Sequence, residues 1–462
     1  MRRLILVLLV LCVSCAAFAQ GNMPSNSQQR KVFPYAYTVD DLPNKLRLIT
    51  IPTDYPNLVA LYIVVGTGSR NEVEAGKSGY AHLFEHLMFR GSKNFSADQR
   101  DAILKRAGAS SNAYTTDDRT VYHEVFSKED LPQIMEIEAD RFLRLTYPET
   151  AYKTETRAVL GEYNKNSASP FSKMEEVLRA TAYNKHTYTH TTMGFIKDIE
   201  DMPNQYQYSL EFYRRYYRPE YTTIIIAGDV TRDQALQLTR KNFGEWQTGN
   251  YMPEIPGEPE QTAPRTANID WPTPTLPIIA VAFRGPAYSD EKLDKAALDL
   301  LASIAFGQNS ELFQRLVLKE QKVDFVGASF GDQLDPELFT VYSRVKDPKD
   351  VAYVQEQILQ TFKRFTTETI PQAKLDATRS NARYSFAHAM DSSEAIASAI
   401  APYVALRRTP ETLNKVFAMY DRITPEDMRT AARRYFVDRN RTIVTLQTKQ
   451  GATTANTGGT NQ

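Results

Sequence analysis

The feature that most constrains this chain is a short pattern that recurs at a constant distance. The segments RRYY and TII at Arg214–Tyr217 and Thr223–Ile225 return 219 positions later as RRYF and TIV, at Arg433–Phe436 and Thr442–Val444. Each copy combines the end of a helix with a β-strand and closes one half of the chain. A chain of 462 residues is also long enough for two cores of about 200 residues each. We therefore expect an α+β protein built from two copies of one fold.

Composition and charge exclude some functions without selecting one. Lys plus Arg and Asp plus Glu both total 55, so the formal net charge is zero. A neutral chain has no broad field that favours nucleic acid or an anionic membrane. The hydrophobic share of 42% is typical of a soluble globular protein.

The first residues have the pattern of an export signal. Arg2 and Arg3 form a basic segment, Leu4–Val13 is a short apolar segment, and Ala17–Ala19 (AFA) is a typical cleavage site. The apolar segment is too short for an ordinary membrane-spanning helix. We expect cleavage after Ala19 and a periplasmic location, with secretion as an alternative.

Cleavage at that point would remove Cys12 and Cys15, which are the two cysteines of the chain. The mature protein would then contain no disulfide and no thiolate chemistry. A second alternative is a lipid anchor attached through Cys15.

Composition also predicts where the domains begin and end. The stretch 250–272 is rich in proline and glutamate, and the end of the chain lacks apolar residues. The predicted segments are a signal peptide (1–19), a flexible arm (20–34), a first domain (35–249), a linker (250–272), a second domain (273–448) and a disordered tail (449–462).

The chemistry of the chain is concentrated in Gly79–Arg90 (GYAHLFEHLMFR). Its apolar residues follow helical spacing, and His82, Glu85 and His86 share a second face of the same helix. Two imidazoles four residues apart can bind one ion, and zinc suits such ligands. Glu85 is placed to take a proton from water rather than to bind the metal. This HxxEH order is the reverse of HExxH.

A catalytic zinc site needs a third protein ligand. Residues 149–164 are predicted as a helix in which Glu155 and Glu162 lie seven positions apart, on one face. One carboxylate can bind the metal while the other supports a ligating histidine. Spacing alone does not decide which glutamate has which role.

These segments resemble the pitrilysin/insulysin family of zinc metallopeptidases, and within it the two-domain bacterial and mitochondrial processing-peptidase branch. The resemblance covers nearly all of the mature chain. The matching segments are GTGSRNE at Gly66–Glu72, GYAH at Gly79–His82, HLMFRGS at His86–Ser92 and ETRAVLGE at Glu155–Glu162.

The resemblance implies a zinc endopeptidase or oligopeptidase that acts on peptides or unfolded segments. It implies two α/β-sandwich domains, which form half of the four-domain clamshell of the family. It assigns Glu162 as the third zinc ligand, Glu155 as a supporting carboxylate and Glu85 as general base. The HxxEH segment shifted by 219 falls on Leu301–Ala305 (LASIA), so the second copy lacks the metal site.

Asn112, Ala113, Tyr114 and Thr115 resemble the edge strand that binds substrate in this family. A peptide added to a sheet edge gains main-chain hydrogen bonds that do not depend on its sequence. Such an edge suits an enzyme with broad peptide substrates.

One departure from the family concerns the second domain, where an Arg and a Tyr usually contact the substrate. Lys319 and Phe325 occupy those positions here. Lys lacks the planar fork of Arg, and Phe has no hydroxyl to donate. We therefore expect this chain to be the zinc subunit of a heterodimer whose other chain carries the Arg/Tyr pair, or else a homodimer.

Two alternatives to an enzyme remain open. The chain could be a non-catalytic binding or assembly subunit of the same fold, or a structural protein that zinc stabilises through four protein ligands. Of the remaining histidines, His123 is interpreted as a packed or half-exposed strand residue, and His388 is left unassigned. His186 and His190 also lie four residues apart, but they stand in a polar, Thr-rich loop with no acid between them, so we do not expect a second metal site there.

Overall fold

The computed structural model describes residues 31–449. The predicted signal peptide and all but the first residue of the predicted tail lie outside this range. The strands are β1 (Thr38–Asp41), β2 (Arg47–Pro52), β3 (Leu58–Val65), β4 (Ser110–Thr115), β5 (Thr120–Ser127), β6 (Thr222–Gly228), β7 (Arg265–Trp271), β8 (Ile278–Arg284), β9 (Val323–Ser329), β10 (Leu338–Val345) and β11 (Arg441–Thr448).

Helices cover most of the remaining described residues. In chain order they are α1 (Tyr80–Leu87), α2 (Ala97–Arg106), α3 (Leu131–Arg144), α4 (Glu149–Ser167), α5 (Pro170–Ala182), α6 (Ile196–Asp201), α7 (Tyr206–Tyr216), α8 (Arg232–Phe243), α9 (Asp294–Phe306), α10 (Glu311–Phe313, continued by a π-helix at Gln314–Lys319), α11 (Val351–Thr367), α12 (Gln372–His388), α13 (Ser393–Arg407), α14 (Glu411–Arg422) and α15 (Pro425–Tyr435).

The strands form two sheets of the same design. The first has the order β1-β2-β6-β3-β5-β4, and the second has the order β7-β11-β8-β10-β9. Each sheet has one parallel pair, β2 with β6 in the first and β7 with β11 in the second, while the other pairs are antiparallel. Apart from the extra edge strand β1, the second sheet repeats the first strand for strand.

The 219-residue offset holds across both halves. Shifted by 219, β6 covers 441–447 and α7 covers 425–435, which are the positions of β11 and α15. The helix that corresponds to α1 is α9, whose Leu301, Ile304 and Ala305 are buried. The prediction of two homologous α/β domains, the second without the metal residues, is confirmed.

The segment predicted as a linker contains a strand. β7 occupies Arg265–Trp271 and pairs in parallel with β11. The same offset places the counterpart of β2 at 266–271, so the repeat itself indicates this strand. The alternating exposure of an edge strand allows polar residues at every second position, and composition alone therefore suggested a linker.

The predicted flexible arm also ends earlier than expected. Val32 and Phe33 are buried in a cluster on the first sheet, and the Phe33 amide donates to the Asn414 side chain at 3.1 Å. Burial of an aromatic ring supplies the free energy that orders this segment. The bounds of the two domains otherwise stay predictions.

The two halves exchange one helix each. Met174, Leu178 and Ala182 of α5 pack on the second sheet, whereas α5 belongs to the first half of the sequence. In return α13 packs on the face of the first sheet through Ile396, Ile400 and other apolar residues. Each sheet therefore buries one face against a helix from the other half.

Over residues 31–449, no helix combines the length and the apolar character needed to cross a bilayer.

The exchanged helix α13 should contribute strongly to stability. We expect Ile400→Ala, a truncation at a fully buried position, to lower the free energy of unfolding by about 2–5 kcal/mol. The truncation removes apolar contacts between α13 and the first sheet and leaves a cavity. Urea denaturation of the purified protein measures this loss. Leu58→Ala is the control, since Leu58 is 49% exposed and its truncation should cost far less. Equal losses in both variants would contradict the packing role of α13.

Candidate metal centre

The helix α1, which carries the predicted metal residues, begins at a glycine. Gly79 has a φ of +88°, and a Cβ atom there would lie 2.6 Å from the carbonyl oxygen of Met193. Only glycine combines this backbone conformation with so close an approach. The start of α1 is thereby held against the segment that precedes α6.

A buried carboxylate caps the same end of α1. The two oxygens of Glu72 accept hydrogen bonds from the backbone N–H groups of Gly79 at 2.6 Å and Ala81 at 2.7 Å. Burial raises the pKa of Glu72, and the two backbone donors oppose that rise. A negative charge at a helix N-terminus also interacts favourably with the helix dipole. Glu72 therefore fixes the position of the first turn.

One face of α1 is buried in the core of the first half. The fully buried residues are Tyr80, Leu83, Phe84 and Leu87. The ring of Phe84 stacks on that of Phe212, with 5.1 Å between the ring centroids. The helix ends at Leu87, three residues before the end of the segment Gly79–Arg90. The polar face of α1 is consequently turned towards α4.

The structure brings His82, His86 and Glu162 together. Glu162 Oε2 lies 3.6 Å from His82 Nε2 and 3.4 Å from His86 Nε2, and the three donor atoms all lie within 4.8 Å of one another. Ligands about 2.1 Å from a tetrahedral zinc ion are about 3.4 Å apart. The two distances from Glu162 are close to this value, so two imidazole nitrogens and one carboxylate oxygen could together hold a zinc ion.

His82 is the more deeply buried of the two imidazoles. Burial and, to a smaller extent, the neighbouring His86 lower the pKa of His82 to about 4, while the Glu162 carboxylate opposes the shift. Among the described residues, His82 Nδ1 has no hydrogen-bond partner. A neutral imidazole is the form that binds a metal ion.

Glu155 lies behind His86, on the side away from Glu162. Its Oε2 is 3.7 Å from His86 Nδ1, and its Oε1 is 2.7 Å from Arg90 Nε. The Glu155 carboxylate raises the pKa of His86, while burial acts in the opposite direction. Spacing alone left the roles of the two glutamates open; in the structure Glu162 faces both Nε2 atoms and Glu155 faces the other ring nitrogen.

Glu85 points towards the end of strand β4. The hydroxyl of Thr115 donates a hydrogen bond to Glu85 Oε2 at 2.6 Å. Burial raises the pKa of Glu85, and the hydrogen bond from Thr115 counteracts part of that rise. A carboxylate with a raised pKa is better suited to accept and return a proton near neutral pH.

Strand β4, which contains Asn112, Ala113, Tyr114 and Thr115, is at the edge of the first sheet as the resemblance implied. It pairs with β5 on one side, and no other strand of the described chain pairs with its second side. It also packs against α1. An unpaired strand edge therefore borders the His82–His86–Glu162 group.

Lys319 and Phe325 lie in the second half of the chain. Lys319 is the last residue of the π-helix that follows α10, and Phe325 is on β9, an edge strand of the second sheet. The ring of Phe325 contacts Phe171 of α5 at 5.6 Å. Within residues 31–449, no hydrogen bond or ring contact joins either side chain to the candidate metal group.

The other histidines have structural partners. His123 stacks on Tyr62 at 4.8 Å, and His186 Nε2 lies 3.0 Å from Asp335 Oδ2. His190 is buried 3.8 Å from Glu72, and His388 contacts Tyr384. In the part of the chain that the structure describes, the His82–His86–Glu162 group is the one place where three metal-binding donors meet.

Sequence reasoning missed the roles of Glu72, Arg90 and Thr115. All three lie in segments that were singled out for their resemblance to a family. Glu72 stands seven residues before Gly79, far from ordinary capping positions. No local spacing rule identifies such contacts, because loops bring the partners together.

Comparison with known protein families matches both halves of the chain. Residues 47–195 match the family described as insulinase (peptidase family M16), and residues 205–382 match the peptidase M16 inactive domain.

Individual relatives extend over nearly the full chain. The zinc protease PqqE of Helicobacter pylori is 27% identical over 413 residues, which are 88% of this chain and 91% of that protein. A probable mitochondrial-processing peptidase subunit beta of Schizosaccharomyces pombe is 24% identical, over 89% of this chain and 91% of its own length.

Solved structures agree with the fold. A protease from Helicobacter pylori superposes with a TM-score of 0.83 at 27% identity and covers 89% of this chain and 99% of its own. The first half of the periplasmic protease PqqL from Escherichia coli gives a TM-score of 0.72 at 18% identity, over 90% of this chain and 92% of that one, a likeness of fold.

The cap on α1 can be tested by one substitution. We expect Glu72→Gln to lower the free energy of unfolding by about 1–3 kcal/mol, because the amide NH₂ would face a backbone N–H at a buried site. The measurement is urea denaturation of the protein without added metal. Glu74→Gln serves as control, since Glu74 is 39% exposed beside Arg215. An unchanged unfolding curve for Glu72→Gln would refute the cap.

Proposed function

The chain belongs to peptidase family M16, and we propose that it is a zinc-dependent endopeptidase that cleaves peptides or unfolded segments. The observation that carries this proposal is the separation of 3.4 and 3.6 Å between Glu162 and the two imidazoles. Relatives named as zinc proteases support it.

In this proposal His82, His86 and Glu162 hold one zinc ion. When bound, zinc supplies a Lewis acid that polarises a carbonyl group and acidifies water. Glu155 orients His86 and strengthens it as a ligand through the ring nitrogen that faces away from the metal. Arg90 in turn holds the other oxygen of Glu155.

Glu85 acts as the general base. Its carboxylate accepts a proton from the attacking water, and it later returns that proton to the nitrogen of the leaving amine. Its raised pKa supports both steps. The apolar packing of α1 keeps the carboxylate at a constant distance from the metal ligands.

The peptide binds along the free edge of β4, over Asn112, Ala113, Tyr114 and Thr115. An extended segment placed there forms main-chain hydrogen bonds that do not select a sequence. The edge also presents the peptide next to Glu85, because Thr115 contacts this residue. The substrate class is therefore extended peptide rather than folded protein.

We further propose that the chain is exported to the periplasm and functions as the zinc subunit of a dimer. The relative from Schizosaccharomyces pombe is named as a subunit, which supports pairing. Lys319 and Phe325 stand where the family usually has an Arg and a Tyr, so a partner chain would supply that pair. A homodimer is the alternative.

The mechanism predicts a separation of metal binding from turnover. Glu85→Gln should retain zinc yet lose at least about 100-fold in kcat, because the general base is removed while the ligands remain. His82→Ala should lose both zinc and activity. Zinc content by mass spectrometry and cleavage of a fluorogenic peptide are the two measurements.

Glu136→Gln on the exposed face of α3 is the matched control and should keep wild-type activity. A chelator should abolish wild-type cleavage, and added zinc should restore it. Normal cleavage by zinc-loaded Glu85→Gln protein would contradict the mechanism.

Pairing predicts that activity depends on assembly. The purified chain should be dimeric by size-exclusion chromatography with light scattering, or else should gain activity when a homologous chain that carries the Arg/Tyr pair is added. Full-rate cleavage by a monomer would exclude both forms of pairing.

A further inference from the structure

The side chain of Thr115 joins the candidate base to the edge strand. Thr115 is the last residue of β4, and its hydroxyl donates to Glu85 Oε2 at 2.6 Å. Among the described residues, Glu85 Oε1 has no such donor. The hydrogen bond therefore fixes one oxygen of Glu85 and leaves the other for a proton.

The backbone N–H and C=O of Thr115 point towards the free edge of the sheet. Thr116 N donates to Arg119 O at 2.8 Å across the hairpin, and Thr115 is paired with Thr120. In an antiparallel ladder, hydrogen-bonded and non-hydrogen-bonded pairs alternate. The pair next to Thr116 and Arg119 is thus a non-hydrogen-bonded pair, and the N–H and C=O of Thr115 point away from β5.

The hairpin that carries Thr115 is held firmly at its tip. Asp117 accepts two hydrogen bonds from the guanidinium of Arg179 at 3.0 and 2.9 Å. Asp118 accepts from the Leu334 backbone N–H at 2.7 Å and from the Tyr188 hydroxyl at 2.8 Å. Both carboxylates are buried. The position of Thr115 is therefore defined before any peptide binds. One of the groups that hold the hairpin, the Leu334 backbone N–H, comes from the second half of the chain.

We propose that Thr115 is a positioning residue that holds Glu85 in one orientation beside the strand edge at which the peptide binds. This inference rests on the proposed peptidase function and deepens it. A peptide strand bound at the edge contacts the backbone of Thr115, while the hydroxyl of the same residue holds Glu85 Oε2 and directs Oε1 to the attacking water. Binding and proton transfer thus share one residue but use different atoms of it.

Because the hydroxyl and the backbone of Thr115 have different roles, substitutions can test the role of the hydroxyl alone. Thr115→Val keeps the β-branched shape and the backbone but removes the hydroxyl, and Thr115→Ser keeps the hydroxyl. We expect Thr115→Val to lower kcat roughly 10- to 100-fold, because the base loses its fixed orientation. KM should stay within about twofold, since the backbone contacts remain. Thr115→Ser should recover most of the lost kcat.

Thr120→Val is the matched control. Thr120 is paired with Thr115 across the hairpin, but its hydroxyl donates to the Thr67 carbonyl at 2.9 Å, away from Glu85. Zinc content and the urea midpoint are measured for all variants, so that loss of fold is separated from loss of orientation. Thr120→Val should retain the wild-type kcat per folded, zinc-loaded molecule.

The outcomes separate this inference from the function on which it rests. A wild-type kcat for Thr115→Val in an otherwise active enzyme overturns the positioning role alone. The same holds if Thr115→Ser loses as much kcat as Thr115→Val, or if only KM changes. Zinc-loaded wild-type protein that cleaves no peptide, either alone or with a homologous chain that carries the Arg/Tyr pair, overturns the proposed function and the positioning role together.

Discussion

The candidate metal centre depends on how α4 is held against α1, and that arrangement rests on the exchange of helices between the halves. α4 carries Glu155 and Glu162, and α5 follows it after two residues. Because α5 packs on the second sheet while α13 packs on the first, each half completes the hydrophobic core of the other. The inactive half is therefore part of the scaffold that sets the distance between the two imidazoles and Glu162.

Around this scaffold, buried charged groups determine the local geometry. Glu72 binds the first turn of α1, Glu155 lies between His86 and Arg90, and Asp117 and Asp118 hold the hairpin of Thr115. A buried carboxylate is stable only where donors or cations surround it. Each of these groups consequently specifies one arrangement of its neighbours and resists alternatives. Glu72 thus fixes the N-terminus of α1, and Glu155 fixes the polar face that carries His86.

Much of the fold could be predicted from the repeat, because a constant offset of 219 residues requires equivalent elements at equivalent places. β6 and β11, and α7 and α15, obey it within a residue. The strand β7 was missed although the offset indicated it, since its alternating polar residues resemble a linker in composition. The burial of Phe33 was missed for a related reason: its partner Asn414 is 381 positions away, and no local pattern reports such a contact.

The sequence by itself determined that His82, Glu85 and His86 share one face of a helix, because helical periodicity is a local property of the backbone. It also determined the pairing of Glu155 with Glu162 on one helix and the absence of metal residues from the second copy. Only the tertiary structure decided which glutamate faces the Nε2 atoms, that Glu72 caps α1 and that Thr115 reaches Glu85. These contacts join separate elements, and the angle and distance between packed elements follow from side chains throughout both cores rather than from any short segment.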